Sequence, residues 1–315
     1  MVRVAPASKP DWRLRTALSA VLAALLLTVL AVTVTRSPAR TVTAVEPNPV
    51  AADDSATTAP RTAPVADTAG GAVTRPRAGG ACGLSLDGRA PASPVGSCTI
   101  LEIGDSLGAD IGWGLERHLP VGTGLHLVQL DQSSTGLANS SYYDWPARLA
   151  ADLRLYHPQL VLVCLGGNDE QGMEVDGRAV QFPAPAWKTA YLARVRSLVS
   201  EATAGGAYVL WVGLPIMRQT SYSQGIEILN SLYRQAASHP NAAFLSIWSL
   251  FSNPRGAFQS EAAVNGTRAS LRQADGIHLD FAGEDVAATY VIRQMALIYH
   301  VRLTPAYPAV ITGWG

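Results

Sequence analysis

The run Thr99-Ile-Leu-Glu-Ile103-Gly104-Asp105-Ser106-Leu107-Gly108 changes its period at a serine. Before it stands a short stretch rich in branched apolar residues, which suits a strand. After it, Gly108–Leu119 follows a helical pattern. The same alternation recurs along the chain. Leu125–Leu130 precedes Pro146–Tyr156, Leu160–Leu165 precedes Trp187–Ala204, and Tyr208–Val212 precedes Gln224–Ser238. Ala243–Ile247 leads through a long loop to a closing helix, Glu284–Ile298. Five strands separated by helices predict a parallel sheet covered on both faces, a three-layer α/β/α sandwich. Between Asn168 and Trp187, Glu174–Val180 carries an Asp-Gly turn signal and predicts a small hairpin, a flap above the strand ends.

Outward from this domain the composition changes. Arg3, Lys9, Arg13 and Arg15 precede an apolar run from Ala17 to Val34. As a helix that run rises about 27 Å, enough to cross the hydrocarbon layer. It exceeds an ordinary signal-peptide core and lacks a clear cleavage site, so residues 1–35 predict an uncleaved signal anchor rather than a cleaved signal. Either leaves the remainder outside the cytoplasm, because the basic cluster stays inside. Residues 36–80 contain no Leu, Ile, Met, Phe, Tyr or Trp and cannot bury enough surface to offset the entropy of ordering. They predict a disordered linker, with the folded domain at 81–315.

With 24 basic and 24 acidic side chains, the chain carries no net charge that would mark a nucleic-acid binder. Three cysteines cannot frame a small disulfide scaffold, and no spacing suggests a metal site. Outside the cytoplasm, Cys82 and Cys98 are expected to pair, closing a loop worth about 3 kcal/mol in the chain-entropy picture. Cys164, inside an apolar run, reads as a buried thiol.

Chemistry-bearing residues gather where the strands end. Gly104-Asp105-Ser106-Leu107 follows the first strand, and Gly136 follows the second. Gly166-Gly167-Asn168-Asp169 follows the third, while Asp275-Gly276-Ile277-His278 lies near the C-terminus. Open α/β sheets bind ligands at that edge. Singly, each block has a bland reading: Ser106 as a helix cap, Asn168 as a turn residue. Together and in this order they resemble the four motif blocks of the SGNH, or GDSL, hydrolase superfamily, over residues 98–300. Tyr143-Asp-Trp-Pro146, Trp211-Val-Gly-Leu-Pro215 and Leu229-Asn230 also resemble a bacterial envelope subgroup long labelled a domain of unknown function.

The resemblance implies a flavodoxin-like SGNH fold and an acyl-serine mechanism without a cofactor. Ser106 would be the nucleophile and His278 its base, since imidazole titrates near neutrality. Asp275, three positions before it, would fix the tautomer. The amides of Ser106 and Gly136 and the side chain of Asn168 would form the oxyanion hole, with Asp105 and Asp169 in support. Asp280 competes with Asp275 as partner of the histidine. His118, His126, His157, His239 and His300 have no motif context and read as packing or surface residues. Tyr143 and Trp145, beside Tyr142, are candidate sugar contacts or an aromatic cluster, and Arg218 is a candidate substrate contact. Asn139-Ser-Ser and Asn265-Gly-Thr match a glycosylation pattern that is frequent by coincidence.

The expected function is a serine esterase or O-acyltransferase outside the membrane, acting on O-acyl esters, above all O-acetyl esters of envelope glycan. The expected partners are that carbohydrate-linked ester and the membrane, with no nucleic acid. Two alternatives stand beside it. An α/β-hydrolase lipase would need further strands ahead of the one that leads to Ser106, for which the domain leaves little chain, and a His-Gly-Gly-Gly loop, which is not present. Its acid would sit on a separate strand end rather than beside the histidine. A non-catalytic glycan-binding module has no need of Ser106 and His278 together.

Overall fold

The computed structural model describes residues 97–122 and 124–314. The expected anchor, the linker and Cys82 lie outside the described residues. In chain order the elements are β1 (Cys98–Gly104), α1 (Ser106–His118), β2 (Leu125–Asp131), α2 (Trp145–Tyr156), β3 (Leu160–Cys164), β4 (Met173–Val175) and β5 (Arg178–Val180). They continue with α3 (Pro185–Ala204), β6 (Tyr208–Val212), α4 (Thr220–Ala236), β7 (Ala242–Leu245), β8 (Glu261–Val264), β9 (Thr267–Ser270), α5 (Phe281–Ile298) and β10 (Ile311–Trp314). The main sheet runs β2-β1-β3-β6-β7 with every pairing parallel. Helices α1 and α5 pack together, as do α2 with α3 and α3 with α4, giving the three layers predicted.

The strand order reverses between β1 and β3, which opens a crevice at their carboxyl ends. The wholly buried run Leu160–Cys164 forms the centre of the sheet, as expected for a strand covered on both faces. Gly104 brings β1 and β3 together at that edge. A side chain there would strike the Cys164 carbonyl and the backbone of Gly108.

Two features depart from expectation. The segment after β7, expected as a long loop, contains β8 and β9, which pair antiparallel, with β10 added along β8. The hairpin β4–β5 does form, but it is tethered: Met173 is buried, and Arg194 of α3 donates to the Glu174 carbonyl at 2.8 Å. Cys164 is a buried free thiol, and Cys98 is half of a disulfide. Among the described residues no helix is long and apolar enough to cross a membrane.

Candidate active site

Helix α1 begins at Ser106 itself, because the Asp105 side chain caps it, accepting from the Leu107 amide at 2.9 Å. Ser106 is thus held at the first helical position, in the positive field of the helix terminus. Its Oγ lies 2.8 Å from Nε2 of His278, whose Nδ1 lies 2.7 Å from Oδ2 of Asp275. The other Asp275 oxygen accepts the amides of Ile277 at 2.8 Å and His278 at 3.1 Å. Burial opposes ionisation of Asp275, yet its bonds to the imidazole and these two amides prevail and hold the carboxyl below the usual range. The pair is not deeply enclosed: 31% of the His278 side chain and 41% of that of Asp275 are exposed. Asp280, the competing partner, caps α5 by accepting from Phe281 at 2.9 Å.

Two buried aspartates lace the strand-end loops together. Besides capping α1, Asp105 accepts the amides of Gly166 at 2.9 Å and Gly167 at 2.7 Å. The β1 loop is thereby fixed to the β3 loop that carries Asn168. Asp169 accepts the amides of Leu137 and Ala138, each at 2.8 Å, and the Tyr191 hydroxyl at 2.6 Å, fixing the β3 loop to the one carrying Gly136. Burial pushes the Asp105 carboxyl up to about 6, against three amide bonds that favour its charge. Burial likewise raises that of Asp169. Asn168 is exposed at the carboxyl end of β3, and its amide donates to the Thr135 carbonyl at 2.9 Å, which leaves its second N–H available. Among the described residues, neither the Ser106 nor the Gly136 amide has a turn or side-chain acceptor.

Sequence reasoning missed three side chains that position this edge. Arg194 donates to the carbonyls of Leu137 at 2.6 Å and Ala138 at 3.0 Å, bracing the Gly136 loop from α3. Arg272, 2% exposed, inserts under the histidine loop and donates to the carbonyls of Ile216 at 2.6 Å, Ile277 at 2.5 Å and Gly276 at 3.3 Å. Burial lowers its guanidinium to about 10. Asp110, one turn below Ser106 on α1, accepts from Leu279 at 2.8 Å, and burial pushes its carboxyl up to about 7. In the sequence these are scattered charged residues without motif spacing. Only their position within apolar patterns could have suggested burial.

The expected substrate contacts fare differently. Trp145 is corrected: at 0% exposure it offers a substrate no surface, and its indole instead donates to Thr135 Oγ1 at 3.0 Å beneath the Gly136 loop. Tyr143, partly buried, packs edge-on against it at 4.8 Å, so the cluster reading describes this pair. Arg218 lies against the histidine loop, donating to the Ala274 carbonyl at 2.6 Å. Among the described residues no group of three or more His, Cys, Asp or Glu side chains is placed to hold a metal ion.

A strand-end serine bonded to a histidine–aspartate pair, with glycine and asparagine loops alongside on a doubly wound sheet, has the layout of an SGNH-type hydrolase site. The chain belongs to the family described as "Protein of unknown function (DUF459)", an SGNH-hydrolase-like family, whose profile matches residues 99–294. Solved structures similar to it include TesA, 24% identical, covering 64% of this chain and 99% of that one with a TM-score of 0.44. A catalytic mutant of Axe2, an acetylxylan esterase from Geobacillus stearothermophilus, is 18% identical, covering 64% and 96% with a TM-score of 0.45. LAE5, an alpha/beta hydrolase enzyme from the metagenome of Lake Arreo, Spain, is 15% identical, covering 64% and 97% with a TM-score of 0.43. No curated protein matches the chain.

Proposed function

We propose that this protein is a serine ester hydrolase or O-acyltransferase that works through an acyl-serine intermediate. The observation that carries the reading is the continuous chain of short contacts from Ser106 Oγ through the His278 ring to Asp275. In the first step the imidazole takes the serine proton as Oγ attacks the ester carbonyl. The negative charge that develops on the carbonyl oxygen falls to the amides of Ser106 and Gly136 and the free N–H of Asn168. Collapse expels the alcohol, which takes its proton from His278. Water or a second hydroxyl then attacks the acyl-serine with the same base and restores Ser106. Metal and cofactor have no step in this scheme.

The substrate class is narrower than the chemistry and rests on different support. The order of the motif blocks and the predicted membrane tether favour O-acyl groups, O-acetyl foremost, on glycans of the cell envelope. The test is incubation of the full chain and its Ser106→Ala variant with a panel of aryl and glycan acetyl esters. Free acid and transferred acyl group are quantified separately. Serine-dependent release or transfer of acetyl supports the reading. Glycan binding retained by Ser106→Ala, with no turnover of any ester by either protein, would instead make the cleft a binding module.

A further inference from the structure

Among the described residues, one carboxyl group on the loop of Asn168 has no hydrogen-bond partner. Glu170 follows Asn168 and Asp169 directly, yet unlike Asp169 it receives no hydrogen bond among the described residues. Its Oε1 is buried and unpaired. The carboxyl packs on Gly225 of α4, where a side chain would collide with both carboxylate oxygens. One turn earlier on α4, Tyr222 donates its hydroxyl to the Gly167 carbonyl, on the residue before Asn168. Glu170, on the loop that carries Asn168, therefore packs on a glycine of α4, and among the described residues no arginine or lysine pairs with it.

Such a group is costly to keep unless something outside the protein meets it. We infer that Glu170 is a specificity-determining contact for the ester, accepting a cationic or hydrogen-bond-donating group beside the scissile bond and excluding an anionic one. This deepens the proposed esterase reading and rests on it. The selection works by charge: an ionised carboxyl attracts an ammonium and repels a sulfonate or carboxylate, and a protonated one does neither. Burial, with no neighbouring charge contributing, pushes Glu170 up to about 7, so its ionisation falls where a pH series can follow it. The ionisable groups on the elements around it are Asp169, which is bonded to Leu137, Ala138 and Tyr191, and on α4 Tyr222 and Tyr233, which burial keeps protonated, together with Glu227 and Arg234.

The experiment compares three acetyl esters of matched size, whose alcohols carry a quaternary ammonium, a tert-butyl or a sulfonate group. None of these alcohols titrates, and kcat/KM is measured with the full chain from about pH 5.5 to about pH 8.5. Because the reacting groups are common to all three, their titration cancels in the ratio of ammonium to sulfonate ester. That ratio is expected to rise about tenfold or more across the series, and Glu170→Gln is expected to flatten it. A ratio in the unmodified protein that does not change with pH, or a rise that survives in Glu170→Gln, overturns the inference while leaving ester chemistry intact. Turnover of none of the three esters overturns the esterase reading itself. Asp105, Asp110 and Asp131 ionise in the same window, so it is the comparison with a Glu170 variant that assigns the rise. Glu170→Ala takes the place of Glu170→Gln if that protein does not fold, with the same flattening expected.

Discussion

Replacing Gly136 by alanine perturbs two parts of the site through one methyl group. A Cβ at that position would stand 2.6 Å from the Asp169 carboxyl carbon, 2.8 Å from Oδ2 and closer still to Oδ1. Ordinary contact begins at 3.4 Å, so something must shift by about 1 Å. Asp169 has little freedom to yield. It is buried, it is bonded to Leu137, Ala138 and Tyr191, and Tyr191 is itself stacked on Trp187 and bonded to Tyr233. Bonds to a charged acceptor are worth about 1.5–3 kcal/mol each, so losing one or two costs about 1.5–6 kcal/mol. That is a large part of a domain stability of about 5–15 kcal/mol. If the Gly136 loop moves instead, its amide leaves the oxyanion position proposed for it, and misplacing one such donor costs about 10²–10³ in kcat. Urea denaturation and steady-state hydrolysis of an aryl acetate measure the two effects. A Gly136→Ala protein within 1 kcal/mol and threefold of the parent in both would refute the reasoning, because neither route would then have been taken.

Three further outcomes follow from the same geometry. Asp275→Asn is expected to lower kcat about 10²-fold, less than the roughly 10⁴ for a buried triad aspartate, because solvent reaches this pair and can partly replace the lost charge; a loss under threefold would remove Asp275 from the mechanism. Arg272→Met is expected to destabilise the domain by about 2–4 kcal/mol by orphaning carbonyls under the histidine loop, and Arg272→Lys should not restore it, since one ammonium cannot span them; full rescue by lysine in thermal unfolding would contradict that role. Asp105 and Asp131 near 6 and Asp110 near 7 are raised above their unfolded value of 3.8. The stability they contribute is therefore complete below about pH 4 and lost as pH climbs through about 6–7. Tm at about pH 5.5 should exceed that at about pH 8 by on the order of 5 °C, whereas a Tm that rises with pH across this window would reverse the sign.

The sequence carried the main sheet because each of its strands is a compact apolar run with a helical pattern after it. It carried the site because Ser106, Gly136 and Asn168 lie at or just beyond the ends of β1, β2 and β3, which this topology gathers at one edge, and because Asp275 and His278 stand as one compact block in the loop before α5. The strands β8 and β9 stayed hidden because Glu261-Ala-Ala-Val264 and Thr267-Arg-Ala-Ser270 have little branched apolar character. One signal was legible: Asn265-Gly266, both at positive φ, is a favoured two-residue hairpin turn, although in the sequence it registered only as part of a glycosylation pattern. Trp145 misled for the opposite reason. An aromatic residue beside a motif looks the same in sequence whether it faces solvent or the core. Arg194, Arg272 and Asp110 were invisible because their task, satisfying backbone groups of distant loops, exists only once the loops are assembled.

The proposed mechanism requires that His278 make the Ser106 hydroxyl reactive. Intact-mass and peptide-mapping measurements after exposure to a fluorophosphonate address it most directly. The full chain should gain one adduct, located on Ser106, and His278→Ala should gain it at least about 10²-fold more slowly. An adduct that forms on another residue, or on Ser106 at the same rate without the imidazole, would contradict the mechanism.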